Sequence, residues 1–172
     1  MTFKIALVGC GGMGRRHAHG YAELRKYFDT VIMSAVCDVH HDVASAVAGE
    51  IGVATGIVPE IFTDFDDMLA NSDLDGVAIV TSTPMHHQFA IKAMEAGLHV
   101  ITEKPMGLTL KACRQMRDVS IATGKVLAVA ENYRRDPMNR LTKALITTGA
   151  IGVPYFAIDI GVGSSNGAVM HS

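Results

Sequence analysis

Short apolar runs alternate with stretches of helical periodicity along most of this chain, which predicts parallel βαβ units. The runs at 4–9, 31–38, 60–62, 76–81, 99–102 and 126–131 read as strands. Most are almost continuously apolar rather than alternating, the pattern of strands covered on both faces. Helical patterns lie near 13–27, 41–51, 64–70, 85–96 and 109–122. Gly97 and Gly124 stand where C-terminal helix caps belong, and Thr109 is placed to cap the helix after it. Asp64-Phe65-Asp66-Asp67 opens a short helix with negative charge at its positive end. The expected class is α/β, with a doubly wound parallel sheet.

The rhythm changes after Glu131. Pro137 is expected to open a helix reaching about Thr148, with Gly149 ending it. Residues 153–161 then read as one more strand, followed by the polar stretch Gly161-Val162-Gly163-Ser164-Ser165-Asn166-Gly167. A strand needs a sheet, and none of the later residues supplies a partner. Residues 1–132 are therefore expected to form one domain, and 133–172 the truncated start of a second α/β domain.

Composition narrows the class. Hydrophobic residues make up 49% and charged residues 19%, as in a globular core, and the formal charge of −2 exerts no general pull toward nucleic acid or anionic membrane. No apolar run is long enough to span a bilayer, and the start Met1-Thr2-Phe3-Lys4 is not a signal peptide. Cys10, Cys37 and Cys113 are an odd number without metal-ligand spacing and read as reduced thiols of a cytoplasmic protein.

Chemistry enters at Gly9-Cys10-Gly11-Gly12-Met13-Gly14, a G-x-G-x-x-G run between the first strand and the first helix. That context is what a dinucleotide-binding Rossmann domain requires. Gly9 allows the tight turn, Gly11 lets a pyrophosphate approach the backbone, and Gly14 lets the helix pack on the strand. The first-turn N–H groups of the helix then face an anion. Asp38 ends the second strand, 24 residues after Gly14, where a carboxylate receives the adenosine ribose hydroxyls and repels a 2′-phosphate. NAD is therefore expected ahead of NADP. The same aspartate would also serve as a cap for the next helix. Arg15 and Arg16 stand in the first turn, either near a pyrophosphate or solvated at the surface.

Thr81-Ser82-Thr83-Pro84 follows the fourth strand at the edge where open α/β sheets bind ligands, and its hydroxyls and proline are placed to line the nicotinamide half. His86 and His87 open the next helix. Adjacent helical residues do not face each other, so packing or capping describes them better than metal binding. Glu103-Lys104-Pro105 follows the fifth strand at the same edge. Its lysine is able to donate to a substrate oxygen and stabilise alkoxide character; its spacing alone suits a surface salt bridge equally well. Pro105 fixes the turn, in a form open to a cis bond.

Residues 9–14, Asp38, the stretch Thr81 to His86, Glu103-Lys104-Pro105, the run Gly12-Met13-Gly14-Arg15-Arg16-His17 and Gly149-Ala150-Ile151-Gly152 together resemble the glucose–fructose oxidoreductase / inositol dehydrogenase / rhizopine catabolism (Gfo/Idh/MocA) family. The likeness covers essentially the whole chain. It implies an NAD(P)-dependent oxidoreductase acting on sugars, cyclitols or related polyols. It implies that Lys104 contacts the reacting substrate oxygen, with Pro105 shaping the turn. It also implies that Gly9, Gly11, Gly12, Met13, Gly14, Asp38, Thr81, Ser82, Pro84 and His86 line the cofactor, with Glu103 and Asn132 near its nicotinamide end.

The chain departs from the family in two ways. Where the family reads Thr-Pro-Asn-x-x-His, Ser82 and Thr83 occupy the proline and asparagine positions. The family's second-domain sheet, with its aspartate–histidine pair, is not matched, and His171 stands in the wrong context to replace it. The chain alone is thus expected to bind NAD with little turnover, and to form homo-oligomers only in a full-length form. A non-catalytic dinucleotide-binding or sensor module is the alternative. An S-adenosylmethionine-dependent methyltransferase ranks last, because Glu103-Lys104-Pro105 has no role in one.

Overall fold

The computed structural model describes residues 2–158 and 160. Six strands form one parallel sheet: β1 (Phe3–Val8), β2 (Val31–Cys37), β3 (Glu60–Phe62), β4 (Gly76–Ile79), β5 (His99–Thr102) and β6 (Leu127–Val129). Helices α1 (Gly12–Arg25), α2 (His41–Thr55), α3 (Phe65–Asn71), α4 (Thr83–Glu95) and α5 (Leu110–Thr123) connect them in turn. The strand order β3-β2-β1-β4-β5-β6 is the doubly wound Rossmann order. It reverses direction between β1 and β4, which pair in parallel from Ile5 with Gly76 to Val8 with Ile79.

The continuous apolar strands follow from burial on two faces. Ala6 and Val8 of β1 pack with Phe65, Met68, Ala90, Met94 and Met116 of α3, α4 and α5. Ile5 and Leu7 point the other way, into a core with Ala18 of α1 and Ala44, Val47, Ala48 and Ile51 of α2. A period-two strand with apolar residues at every position needs both layers.

The element boundaries expose the local rules. α2 runs to Thr55 rather than stopping near 51, because Gly52 continues the helix and Gly56, at φ +75°, ends it. α4 starts at Thr83 rather than near 85, since Pro84 is tolerated in a first turn, where its missing N–H has no partner to lose. Gly97 and Gly124 take positive φ at the ends of α4 and α5. The Thr109 hydroxyl accepts from the Ala112 N–H at 3.2 Å, and the Asp64 carboxylate from the Asp67 N–H at 2.8 Å.

The chain divides into two compact units, Met1–Ala130 and Glu131–Ser172. In the second, α6 (Pro137–Thr147) follows a 3-10 turn at Asn132–Arg134. Asp136 caps it, accepting from the N–H groups of Met138 at 2.9 Å and Asn139 at 3.0 Å. The strand expected over 153–161 is not formed among its described residues: 152–158 adopt no regular element, and Val153, Tyr155, Phe156 and Ile158 are exposed. β propensity does not make a strand without a neighbour to receive its N–H and C=O groups, and no described strand pairs with it. The polar stretch 161–167 and His171 lie outside the described residues.

Candidate functional site

Each of the central strands is extended past its end by one more backbone bond to its neighbour. The Gly9 N–H donates to the Cys37 carbonyl at 2.8 Å, Val80 to Val8 at 2.7 Å, Glu103 to Ile79 at 2.9 Å and Asp38 to Phe62 at 3.1 Å. These bonds align the exits of β1, β2, β4 and β5, so the loop at 9–14, Asp38, Thr81 and the turn at 103–105 share the carboxyl edge. Ligands of open α/β sheets bind at that edge, where the strand order reverses.

The glycines of the loop divide into two kinds. Gly9 sits at φ +91°, and a Cβ there would stand 2.7 Å from the Val80 carbonyl oxygen. A Cβ on Gly14 would run into the Gly9 carbonyl oxygen. Both are glycine because the protein's own backbone fills the space. Around Gly11 and Gly12 a Cβ meets no heavy atom within 4 Å, and Gly11 has φ −65°. Neither packing nor conformation demands glycine there, and the space beside this backbone is open. α1 begins at this point with no side-chain cap, which leaves its first N–H groups to an anion. The residues present therefore fit a dinucleotide pyrophosphate.

Asp38 secures this loop. Its Oδ2 accepts from the Cys10 N–H at 2.8 Å and its Oδ1 from the His40 N–H at 3.0 Å. A carboxylate has about four acceptor positions, so two remain open. Its role is wider than a helix cap: it joins the exit of β2 to the loop after β1. Cys10, beside it, is buried, and burial pushes its thiol up to about 12, as it does for Cys37. Met13 is half-buried on α1. Arg15 pairs with Glu50 of α2 at 3.1 Å, whereas Arg16 is exposed without an ion pair among the described residues.

Ser82 stands at the N-cap of α4 with its hydroxyl unused in capping, Pro84 is exposed in the first turn, and Thr81 is half-buried before it. His86 is different. It is 1% exposed, and its ring nitrogens lie 2.9 Å from the Pro105 carbonyl and 3.0 Å from the Thr81 carbonyl. Both facing atoms are acceptors, and a neutral imidazole donates to one of them, so the buried ring sits between the segments at Thr81 and Pro105.

The Lys104–Pro105 peptide is cis. Glu103 is 9% exposed, and its Oε2 accepts from the Lys104 N–H at 2.9 Å. Its Oε1 lies 2.9 Å from Nε2 of His17 on α1. The Lys104 ammonium is exposed and has no ion-pair partner among the described residues. Sequence reasoning missed the part His17 plays: the partners are 86 residues apart, and no local spacing signals the pair. Asn132 belongs to the second unit, at the start of its 3-10 turn. Among the described residues no three metal-ligating side chains cluster, and no helix is long and apolar enough to cross a membrane.

A glycine loop tied to an acidic strand end, at the switch point of a doubly wound sheet, defines a dinucleotide-binding domain. Residues 3–131 match the oxidoreductase family with an NAD-binding Rossmann fold (Gfo/Idh/MocA), and the chain belongs to that family. It is 32% identical over 154 residues to D-apiose dehydrogenase of Paraburkholderia graminis, across 90% of this chain and 39% of that protein. It is 29% identical to inositol 2-dehydrogenase of Pseudomonas fluorescens, across 90% of this chain and 44% of that protein. The crystal structure of scyllo-inositol dehydrogenase from Lactobacillus casei, with bound NAD(H) and scyllo-inositol, superposes with a TM-score of 0.78 at 32% identity, covering 88% of this chain and 43% of that one. The fold and the family expected from the sequence are those found. The chain spans about two-fifths of the length of the relatives it matches.

Proposed function

We propose that this chain binds NAD at the loop of residues 9–14 and is the cofactor-binding part of a dehydrogenase acting on a sugar, cyclitol or related polyol. The observation that carries the reading is the division of the loop: Gly9 and Gly14 are filled by backbone, Gly11 and Gly12 are open, and Asp38 holds the loop with acceptor capacity to spare. The names of the relatives support the substrate class.

In this reading the backbone from Gly9 through Gly11, Gly12 and Met13 to Gly14 cradles the pyrophosphate against the first turn of α1. Asp38 accepts the adenosine ribose hydroxyls and disfavours a 2′-phosphate, which selects NAD over NADP. Thr81, Ser82 and Pro84 line the nicotinamide half, the family likeness assigns Asn132 to the same end of the cofactor, and His86 and Glu103 hold the surrounding backbone. The nicotinamide ring, when bound, supplies hydride chemistry. Lys104 donates a hydrogen bond to the substrate oxygen and stabilises negative charge on it; among the described residues no ion pair engages its exposed ammonium. Residues from about 133 onward open a substrate domain. The 172 residues alone bind the cofactor with little turnover, because orienting a substrate and removing its proton each contribute large factors and need more groups than Lys104.

Calorimetric titration with NADH, NADPH and S-adenosylmethionine tests the reading. One NADH site, weaker NADPH and no S-adenosylmethionine binding are expected. Tighter S-adenosylmethionine binding, or no binding of NADH, overturns it.

A further inference from the structure

The turn that carries Lys104 contains no glycine from 103 to 105, and its strand bonding ends with the Glu103 N–H. Its geometry rests instead on one nearly buried carboxylate. Glu103 accepts from the Lys104 N–H with one oxygen and faces His17 Nε2 with the other, each at 2.9 Å. Little water reaches this carboxylate, so a lost partner is poorly replaced. Engaged in this way, Glu103 forms no ion pair with the ammonium of its neighbour Lys104. His17 lies four residues after Met13, one helical turn on, and shares its face of α1. Side chains on a helix lean toward its N-terminus, here the end formed by the glycine loop.

We propose that His17 is a positioning residue: through Glu103 it fixes the Lys104 turn from the same helix whose first turn receives the pyrophosphate. A neutral imidazole with its proton on Nε2 suffices, donating to the Glu103 carboxylate. Ordering of the loop and ordering of the turn beside the nicotinamide are thereby one event. The inference rests on the NAD-binding reading above.

The test compares NADH with ADP-ribose, which keeps the adenosine and pyrophosphate but lacks nicotinamide, by calorimetric titration of the full chain. His17→Leu should weaken NADH about tenfold and leave ADP-ribose within about twofold, the size expected for one charge-assisted hydrogen bond. His17→Gln, whose amide retains an N–H donor, should recover most of the NADH affinity. Equal losses for both ligands would make His17 a support of the loop alone, and unchanged NADH binding would remove its role; either overturns the proposal. If His17→Leu does not fold, the near-isosteric Glu103→Gln carries the same test, since one N–H then faces an amide NH2. Wild-type chain that binds neither ligand overturns this inference together with the NAD reading, an outcome distinct from variants that bind both ligands as the wild type does.

Discussion

The loop after β1 and the turn after β5 lie at one edge of the sheet but are held by different means. The loop is shaped by what its residues lack. Gly9 and Gly14 have no Cβ, and the carbonyls of Val80 and Gly9 fill the space. The turn is shaped by what distant side chains supply: His17 from α1 grips Glu103, and His86 from α4 grips the Pro105 carbonyl. The loop is fixed by close backbone approach together with the Asp38 bond to the Cys10 N–H, whereas the turn depends on side-chain hydrogen bonds from two helices. The contrast teaches that two segments of one sheet edge can be fixed differently, one by the absence of Cβ atoms against neighbouring backbone and one by side chains reaching in from helices.

The largest expected effect falls on the loop. Gly14→Ala drives a methyl into the Gly9 carbonyl and should lower stability by about 3 kcal/mol, read from urea unfolding, with NADH binding lost as well. On the turn, His86→Leu removes the buried ring between the Thr81 and Pro105 carbonyls, and with it the hydrogen bond to one of them, and should cost about 2 kcal/mol in the same measurement. Similar losses would show that the two regions are equally dependent on packing.

Gly11→Ala separates ligand approach from packing. It should change stability by no more than about 1 kcal/mol, the scale of an N-cap exchange, yet weaken NADH binding about tenfold. Unchanged affinity would mean that the open space at Gly11 is not used. Asp38→Asn should reduce the preference for NADH over NADPH, measured as the ratio of their dissociation constants. The smallest effect is chemical. Burial pushes the Cys10 thiol up to about 12, so Cys113, which is partly exposed, should react first with a disulfide reagent at about pH 8. Early labelling of Cys10 would mean that the loop opens readily.

The same contrast explains what the sequence made legible. The inner strands β1, β2, β4 and β5 could be read because strands covered on both faces are almost continuously apolar, the short edge strands β3 and β6 from their place in the alternation with helices, and α1 to α5 because glycines, Thr109 and Asp64 punctuate them. The loop was legible for the same local reason. The grip on the turn was not: His17 looks like any polar residue on α1, and His86 like a packed histidine on α4, until the fold brings Glu103 and Pro105 beside them. The strand expected over 153–161 is not formed among its described residues, through the same gap between local and tertiary signals: an apolar pattern carries no information about whether a neighbouring strand pairs with it.

An NMR titration of the nitrogen-15-labelled chain with NADH tests the central claim most directly. The account predicts saturable shifts at the amides of Gly11, Gly12, Met13 and Gly14, at Val39 beside Asp38, and at Ser82 and Lys104. Shifts confined to other surfaces, or none at saturating NADH, would contradict it.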